Sequence, residues 1–324
     1  MKAPHRIVWA FAAGYFAVYA PYCTMVKTLT TGPSASRGMV LLPAVIAGTA
    51  LSALATITAL GWWKYWRRPS LAMIGSGAGT AAIVATTTLA YTFSGVSVVL
   101  ALLLMRGGVL LIAPLADLAF GRTVRWFSWT ALAISVAALV VALADAGSYA
   151  LPLAAGINLA AYLAGYVIRL ATMTRTAKQD DPALTRTYFV QELVVTLAFL
   201  AAVPALLALA GHTDLRAGFA VFRGTPLLAP ALMAGVLYTG VFFFGTLIYL
   251  DKRENTFCIP LNRGSSLLAG AFVSLAGVGG LAFPSLPQLV AASMVILALM
   301  LLSPVHHIFE LRPARDVREI GVPR

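Results

Sequence analysis

MRGGVLLIAPLADLA, from Met105 to Ala119, is written a second time as NRGSSLLAGAFVSLA, from Asn262 to Ala276, with Arg106-Gly107 lying over Arg263-Gly264. A second pair of matching stretches precedes it in the same order. FAAGYFAVY, from Phe11 to Tyr19, lies over NLAAYLAGY, from Asn158 to Tyr166, so that Tyr15 and Tyr19 superpose on Tyr162 and Tyr166. The chain therefore reads as two copies of one unit, and a repeat of several apolar segments is a signature of membrane transporters.

The surroundings of these stretches say what the unit is made of. Of 324 residues, 60% are hydrophobic and only 10% charged, where a soluble domain carries roughly a quarter charged. Apolar runs broken by charged, Pro or Gly clusters mark ten segments of membrane-crossing length. They are Ile7 to Val26, Met39 to Trp63, Leu71 to Phe93, Val96 to Phe120, Phe127 to Leu143, Ala150 to Ile168, Tyr188 to Leu209, Leu227 to Leu250, Phe257 to Phe283 and Leu289 to Val305. All are expected to be helices, because a backbone in lipid must satisfy its polar groups within the segment, and none alternates like a barrel strand. The expected architecture is an all-α integral membrane protein of ten transmembrane helices. Its first five-helix repeat covers 1–146, its second 147–306, and a cytoplasmic tail 307–324. Five is odd, so the second copy enters from the opposite face and the repeat is inverted.

Basic residues give the orientation. With both termini on one side, seventeen of the 23 Lys and Arg fall on that side. Lys27, Arg37, Arg216 and Arg223 fall on the other, and Arg106 and Arg263 lie within spans. Positive charge gathers on the cytoplasmic face, so both termini are expected to be cytoplasmic. The Arg- and Ala-rich composition fits a bacterial inner membrane. The net charge of +12 then faces anionic lipid headgroups, and nucleic acid is not an expected partner. Cys23 and Cys258 offer no disulfide framework and are expected to be buried thiols.

Here the chain resembles the drug/metabolite transporter superfamily, in its ten-helix EamA-like branch. The architecture covers the whole chain. In sequence the likeness is clearest in YTFSGVSVVLALLLMRGGVLLIAPLADLAFGRTVRWFSWTALAISVAALVVAL, from Tyr91 to Leu143. One departure is Gly121-Arg122, where that family often has a glutamate after the glycine closing the fourth helix. The resemblance implies a secondary transporter. Phosphate translocators of the superfamily carry basic residues on their fourth and ninth helices, at positions that look like Arg106 and Arg263.

The residues themselves point the same way. Arg106 lies ten residues into its run, about 15 Å deep in a hydrocarbon core of roughly 30 Å. Arg263 reaches a similar depth from the other face. A mid-membrane arginine costs from about 2.5 to more than 10 kcal/mol, so each must face protein or water. Two readings follow. Each guanidinium is neutralised by a buried acid or capped by carbonyls, or at least one is left to bind a substrate anion, for which its planar fork is suited. Asp117 and Glu192 are the acids deepest in apolar runs, and Glu192 could equally pair with Arg169 or Arg186. Glu192 is also the first candidate for proton coupling.

Tyr15, Tyr19 and Tyr22, and Asn158, Tyr162, Tyr166 and Arg169, each form a stripe along one helix face. They are either the wall of a polar, aromatic pocket or helix-packing contacts. Asn262, Ser265 and Ser266 flank Arg263 and are of secondary interest, because membrane Ser and Thr commonly bond their own backbone. Adjacent His306 and His307 point to different helix faces, so no metal is expected. No nucleophile, phosphate-loop or cofactor motif is present. Eleven acids, mostly in loops, weigh against an enzyme. The expected function is alternating-access transport of a small organic anion or phosphorylated metabolite, by a monomer or homodimer. A lipid or lipid-headgroup transporter using the same arginines is the alternative.

Overall fold

The computed structural model describes residues 4–30, 38–89, 98–143, 153–178, 181–275 and 285–302. The expected repeat boundary at 146/147, Tyr91, His306, His307 and the tail 307–324 lie outside them. The described residues form α-helices and two short 3₁₀ turns, and they contain no strand. The helices are α1 (Pro4–Thr30), α2 (Gly38–Ala59), α3 (Leu71–Leu89), α4 (Val98–Ala119), α5 (Trp126–Leu143) and α6 (Leu153–Thr176). They continue as α7 (Pro182–Leu209), α8 (Thr213–Ala220), α9 (Leu228–Tyr249), α10 (Asn255–Leu275) and α11 (Leu286–Leu302).

Five segments are long and apolar enough to cross a membrane: Ile7–Val26, Gly38–Ala59, Ala155–Thr176, Pro182–Leu209 and Leu228–Tyr249. Leu71–Thr87, Trp126–Val141 and Leu289–Leu302 are shorter apolar helices. The surface matches that composition. Leu71, Leu111, Leu115, Leu153 and Leu209 are exposed, while Ser76, Thr80, Glu192 and Arg263 are buried. Large apolar side chains outside with charge inside is an arrangement compatible with lipid surroundings and unfavourable in water.

Helix ends follow local chemistry. α2 and α7 both run into a glycine with positive φ, Gly61 at 63° and Gly211 at 110°, a conformation that costs a side-chain-bearing residue about 1–2 kcal/mol. α7 begins at Asp181, whose carboxylate accepts from the Ala183 N–H at 2.7 Å, with Pro182 in the first turn. Hydroxyls inside the spans return to their own helix: Thr49 donates to Val45 O at 2.8 Å and Ser265 to Leu261 O at 2.9 Å.

Packing brings distant parts of the chain together. α2 lies along α9, and α7 along α3; α1 lies along α9, and α6 along α3. α1 also meets α10, α6 meets α4, α5 meets α11, and α4 meets α10. Glycine permits the closest approaches. A Cβ at Gly235 would lie 2.2 Å from Val45 O and 2.6 Å from Thr49 N, so α2 and α9 touch backbone to backbone. At the α3–α7 crossing a Cβ at Gly77 would lie 3.2 Å from Thr196 N. The same two crossings share a hydrogen bond: Thr49 Oγ1 donates to Gly235 O at 3.1 Å, and Thr196 Oγ1 to Gly77 O at 3.2 Å. The main core draws buried residues from every long helix, α1–α7 and α9–α11. Phe189 there meets Trp62, Phe242 and Phe243 edge-on with ring centroids 4.7–6.0 Å apart, contacts worth about 0.5–1.5 kcal/mol each beyond buried area.

Several boundaries differ from the sequence expectation. α8 was not expected; it is short and amphipathic, and Gly218 fits it against Val40 O and Pro43 of α2. α6 runs to Thr176 rather than Ile168, because Arg169, Thr172 and Thr174 are buried inside the protein. α7 starts at Pro182 rather than Tyr188 because the Asp181 cap and Pro182 begin the helix there, ahead of the buried stretch from Tyr188. Trp62 and Trp63 lie in a 3₁₀ turn beyond Gly61. Cys258 is buried as expected, but Cys23 is only half-buried.

Candidate functional site

The two arginines in the repeated stretches each bind a tyrosine from the other repeated stretch. Arg106 Nη2 on α4 donates to the Tyr19 hydroxyl on α1 at 2.7 Å, with its guanidinium 5.9 Å from that ring. Arg263 Nη2 on α10 donates to the Tyr166 hydroxyl on α6, with its guanidinium 4.9 Å over that ring. Each of these tyrosines sits against the one a turn earlier: Tyr15 and Tyr19 stack at 5.5 Å, and Tyr162 and Tyr166 meet at 4.9 Å. Arginine over a phenol face is a favourable electrostatic contact, worth about 2 kcal/mol or more once desolvated.

α9 joins the two pairs. Tyr249 meets Tyr166 edge-on at 6.4 Å and donates its hydroxyl to Asn262 Oδ1 at 2.7 Å. Gly245, one turn earlier, leaves space in which a Cβ would lie 3.1 Å from the Tyr15 ring and 3.4 Å from Asn262 Nδ2. Tyr15, Asn262, Tyr162, Tyr166, Tyr249 and Arg263 thus form one buried cluster. Arg106 adjoins this cluster through Tyr19, which stacks on Tyr15. Tyr249 and Gly245 were missed in the sequence. With Tyr238, which packs on Tyr22 at 5.3 Å, they are spaced i, i+7, i+11 along α9, a stripe that was readable.

The acids lie elsewhere. Glu192 accepts from Arg169 through both oxygens, at 2.8 and 3.1 Å, and from Thr80, Tyr188 and Ser76 at 2.9, 3.1 and 3.2 Å. Arg169 Nη2 also donates to Thr246 at 2.8 Å and lies 5.4 Å over Tyr249. Of the two basic partners open to Glu192, the structure selects Arg169, while Arg186 donates to Tyr65 at 2.7 Å. Asp117 caps α10, accepting from the backbone N–H and side chain of both Asn255 and Thr256 at 2.7–2.9 Å. Among the described residues, no carboxylate pairs with Arg263.

Arg263 is 8% exposed and Asn262 2%. Yet Arg263 Nε and Asn262 Nδ2 have no hydrogen-bond partner among the described residues. Asn158 donates to Thr86 O at 3.0 Å, tying α6 to α3, and its Oδ1 likewise lacks a partner. Ser265 and Ser266 spend their hydroxyls on carbonyls of their own helix. Leaving a buried polar group unmatched costs about 1–3 kcal/mol, so the unmatched donors beside Arg263 are the feature that asks for a ligand.

Beyond the cluster, the ends of α4, α5 and α6 are tied to the α9–α10 turn. Arg125 donates to Glu254 at 2.9 and 3.1 Å, and Ser128 at 2.6 Å. Burial pushes the Glu254 carboxyl up, but these hydrogen bonds outweigh it and hold it below the ordinary value. Lys178 Nζ donates to Arg253 O at 2.9 Å and reaches Cys258 Sγ at 3.6 Å; burial pulls its ammonium below the usual lysine range. The described residues hold no group of three His, Cys, Asp or Glu able to bind a metal.

No family model and no curated protein matches the chain. The likeness found is one of fold. One solved protein crystal structure superposes on 94% of this chain and 99% of its own, with a TM-score of 0.66 and 15% identity. At that identity the match speaks for the arrangement of helices alone.

Proposed function

We propose that the protein is a secondary transporter of a small organic anion or phosphorylated metabolite, working by alternating access between two inverted five-helix repeats that together cross the membrane ten times. The helix contacts support the repeat. Exchanging α1, α2, α3, α4 and α5 with α6, α7, α9, α10 and α11 turns each pairing described above into another of them or into itself. Side chains support it too: Thr196 stands 147 residues after Thr49 and makes the equivalent bond to a glycine carbonyl, and Arg263–Tyr166 repeats Arg106–Tyr19. This is the architecture that the resemblance to the drug/metabolite transporter superfamily implies. We place the protein in the inner membrane with cytoplasmic termini, as a monomer or homodimer.

The observation that carries the reading is Arg263, a buried guanidinium with no acid on it among the described residues, in a tyrosine cluster that Arg106 adjoins through Tyr19. An isolated buried charge costs several kcal/mol, and an anion that neutralises it in one state of the transporter recovers that cost. Tyr15, Tyr19, Asn158, Tyr162, Tyr166 and Asn262 form the wall. Glu192 would couple protons through Arg169, since protonating it removes the negative charge that faces that guanidinium. No enzymatic role is proposed.

A ligand at 100 times its dissociation constant stabilises the bound state by about 2.7 kcal/mol. Thermal unfolding of the purified protein against matched anionic, zwitterionic and cationic metabolites should therefore show stabilisation by anions, lost in Arg263→Gln and reduced in Arg106→Gln. Stabilisation by cations alone, or an undiminished anion response in both variants, refutes the anion site. A lipid-headgroup substrate is favoured by one observation: an apolar cleft of about 240 Å³ between α2, α3, α7 and α8, lined by Leu42, Ala81, Phe199, Val203 and Leu207, with Val203 and Leu207 exposed. Stabilisation by a phospholipid but not by its free headgroup would select that reading.

A further inference from the structure

Two donors with nothing to donate to stand on consecutive residues of α10. Asn262 is fixed in orientation by the Tyr249 hydroxyl, which bonds its Oδ1 and turns Nδ2 toward Gly245 and the edge of Tyr15. Arg263 is fixed by Tyr166, which accepts from Nη2 and lies under the guanidinium, leaving Nε without a partner among the described residues. Asn262 Nδ2 likewise has none. Both residues are more than nine-tenths buried, so water does not stand in cheaply for a missing acceptor.

We infer that Arg263 and Asn262 hold a carboxylate carried on a flat, apolar body, and that a phosphate ester is the poorer ligand. The inference rests on the transport reading and narrows its substrate. Charge favours a carboxylate: the unmatched Arg263 Nε and Asn262 amide present their N–H groups beside a single guanidinium, which one negative charge balances. A phosphate monoester brings three terminal oxygens and a charge of about −1.5 to −2 near pH 7. Arg106 bonds Tyr19 rather than Tyr166 and so adds its charge to the cluster without being one of these two donors. The surroundings set the body of the ligand. Tyr15, Tyr162, Tyr166 and Tyr249 present ring faces and edges, and the hydroxyls of Tyr166 and Tyr249 are spent on Arg263 and Asn262. Such a wall contacts a planar, apolar skeleton through offset and edge-on ring packing, and offers a polyhydroxylated body little.

The test uses the full-length protein in detergent with four probes sharing small size: phenylacetate, phenyl phosphate, phenethylammonium and acetate. Affinities come from the dependence of the unfolding midpoint on probe concentration. Phenylacetate should bind tightest, with acetate and phenyl phosphate each at least about 10-fold weaker. Arg263→Lys keeps the charge but loses the fork, and Asn262→Asp keeps the Tyr249 acceptor but supplies its own carboxylate. Each should weaken phenylacetate by about 10- to 100-fold, the factor for a charge-assisted hydrogen bond of about 1.5–3 kcal/mol. Each variant's midpoint without ligand shows whether it is folded. If phenyl phosphate binds tighter than phenylacetate and loses affinity in Arg263→Lys, the carboxylate inference falls and the anion-transport reading stands. If phenethylammonium alone binds, both fall. Phenylacetate binding unchanged in the two variants, or no response to any probe, overturns the inference.

Discussion

Removing Glu192 should unfold the protein more readily than removing Glu192 and Arg169 together. The Glu192 side chain is fully buried and that of Arg169 only 6% exposed, and the pair is bidentate. Glu192→Leu leaves a guanidinium inside the helix bundle with Thr246 as its remaining hydrogen-bond partner. Breaking a buried pair from one side costs about 3–5 kcal/mol, because the survivor is an uncompensated charge. Ser76, Thr80 and Tyr188 also lose their acceptor, though Ser76 and Tyr188 already bond each other at 2.7 Å and recover part of the loss. We expect about 4 kcal/mol for Glu192→Leu and about 3 kcal/mol for Arg169→Met. The double variant removes both charges and should lie within about 2 kcal/mol of the native protein, a coupling of roughly 5 kcal/mol. At about 2 °C per kcal/mol for a chain of this size, the single variants lose roughly 6–8 °C and the double variant about 4 °C or less. In a Cys23→Ser background, which removes the half-buried thiol, a maleimide dye that fluoresces on reacting with Cys258, fully buried in the fold, reads the transition in detergent. If the double variant loses as much as the two singles summed, the pair is not the anchor argued here.

Asp117→Ala strips four hydrogen bonds from the start of α10 and should cost about 2–4 kcal/mol, a lost cap plus unmatched buried donors; the dye should then reach Cys258, one turn away, at a lower temperature. Gly235→Ala drives a methyl to 2.2 Å from Val45 O, where no side chain can yield, while Gly270→Ala meets nothing within 4 Å. The first should lose several kcal/mol or fail to fold, and the second should be neutral or gain up to about 1 kcal/mol, as measured by unfolding midpoints. Glu254 is held below its ordinary value, so its contribution is fully present above the unfolded value of about 4.3 and is lost as pH falls through the folded value. The midpoints of native protein and Glu254→Gln should keep a constant gap from pH 8 to 5 and converge in more acid buffer; a gap that widens in acid contradicts the assignment.

Long apolar runs were legible because lipid-compatible composition leaves helix as the only backbone solution: five of the expected segments contain helices long and apolar enough to cross a membrane, and three more contain shorter apolar helices. What escaped was polar structure that the fold buries. Arg169, Thr172 and Thr174 read as a loop because charge and hydroxyls normally mark an exit from the membrane, yet Glu192 makes Arg169 a buried residue of α6. The Asp181-Pro182 start of α7 carried a readable cap, outweighed in reading by Thr185 and Arg186. Helix α8 has too few apolar residues to register as a run. At the site, the alignment paired Tyr19 with Tyr166 and Arg106 with Arg263, but that each arginine bonds the tyrosine of its own proposed repeat was not anticipated, since acids, carbonyls or an anion were the expected partners. Tyr249 and Asn262 were not legible as a pair either, since their contact depends on how α9 and α10 face each other, which no spacing within either helix reveals.

Arg169 and Arg263 differ in a way that separates scaffold from site. Both are buried and both lie over tyrosine rings. Arg169 has its counter-charge built in and two oxygens saturated by five donors, so it gains little from any ligand. Its place in the proposed first repeat, 147 residues earlier, is Tyr22, so the ion pair belongs to one half and has no counterpart to exchange with. Arg263 has its counterpart in Arg106, and the tyrosine it binds has its counterpart in Tyr19. In transporters built from inverted repeats the substrate lies at the interface between the halves, so a buried residue present in both proposed halves is a candidate for that place. The buried arginine that has no carboxylate partner among the described residues is thus also one whose position is duplicated. An anion binding there would compensate that charge from whichever side the site is open.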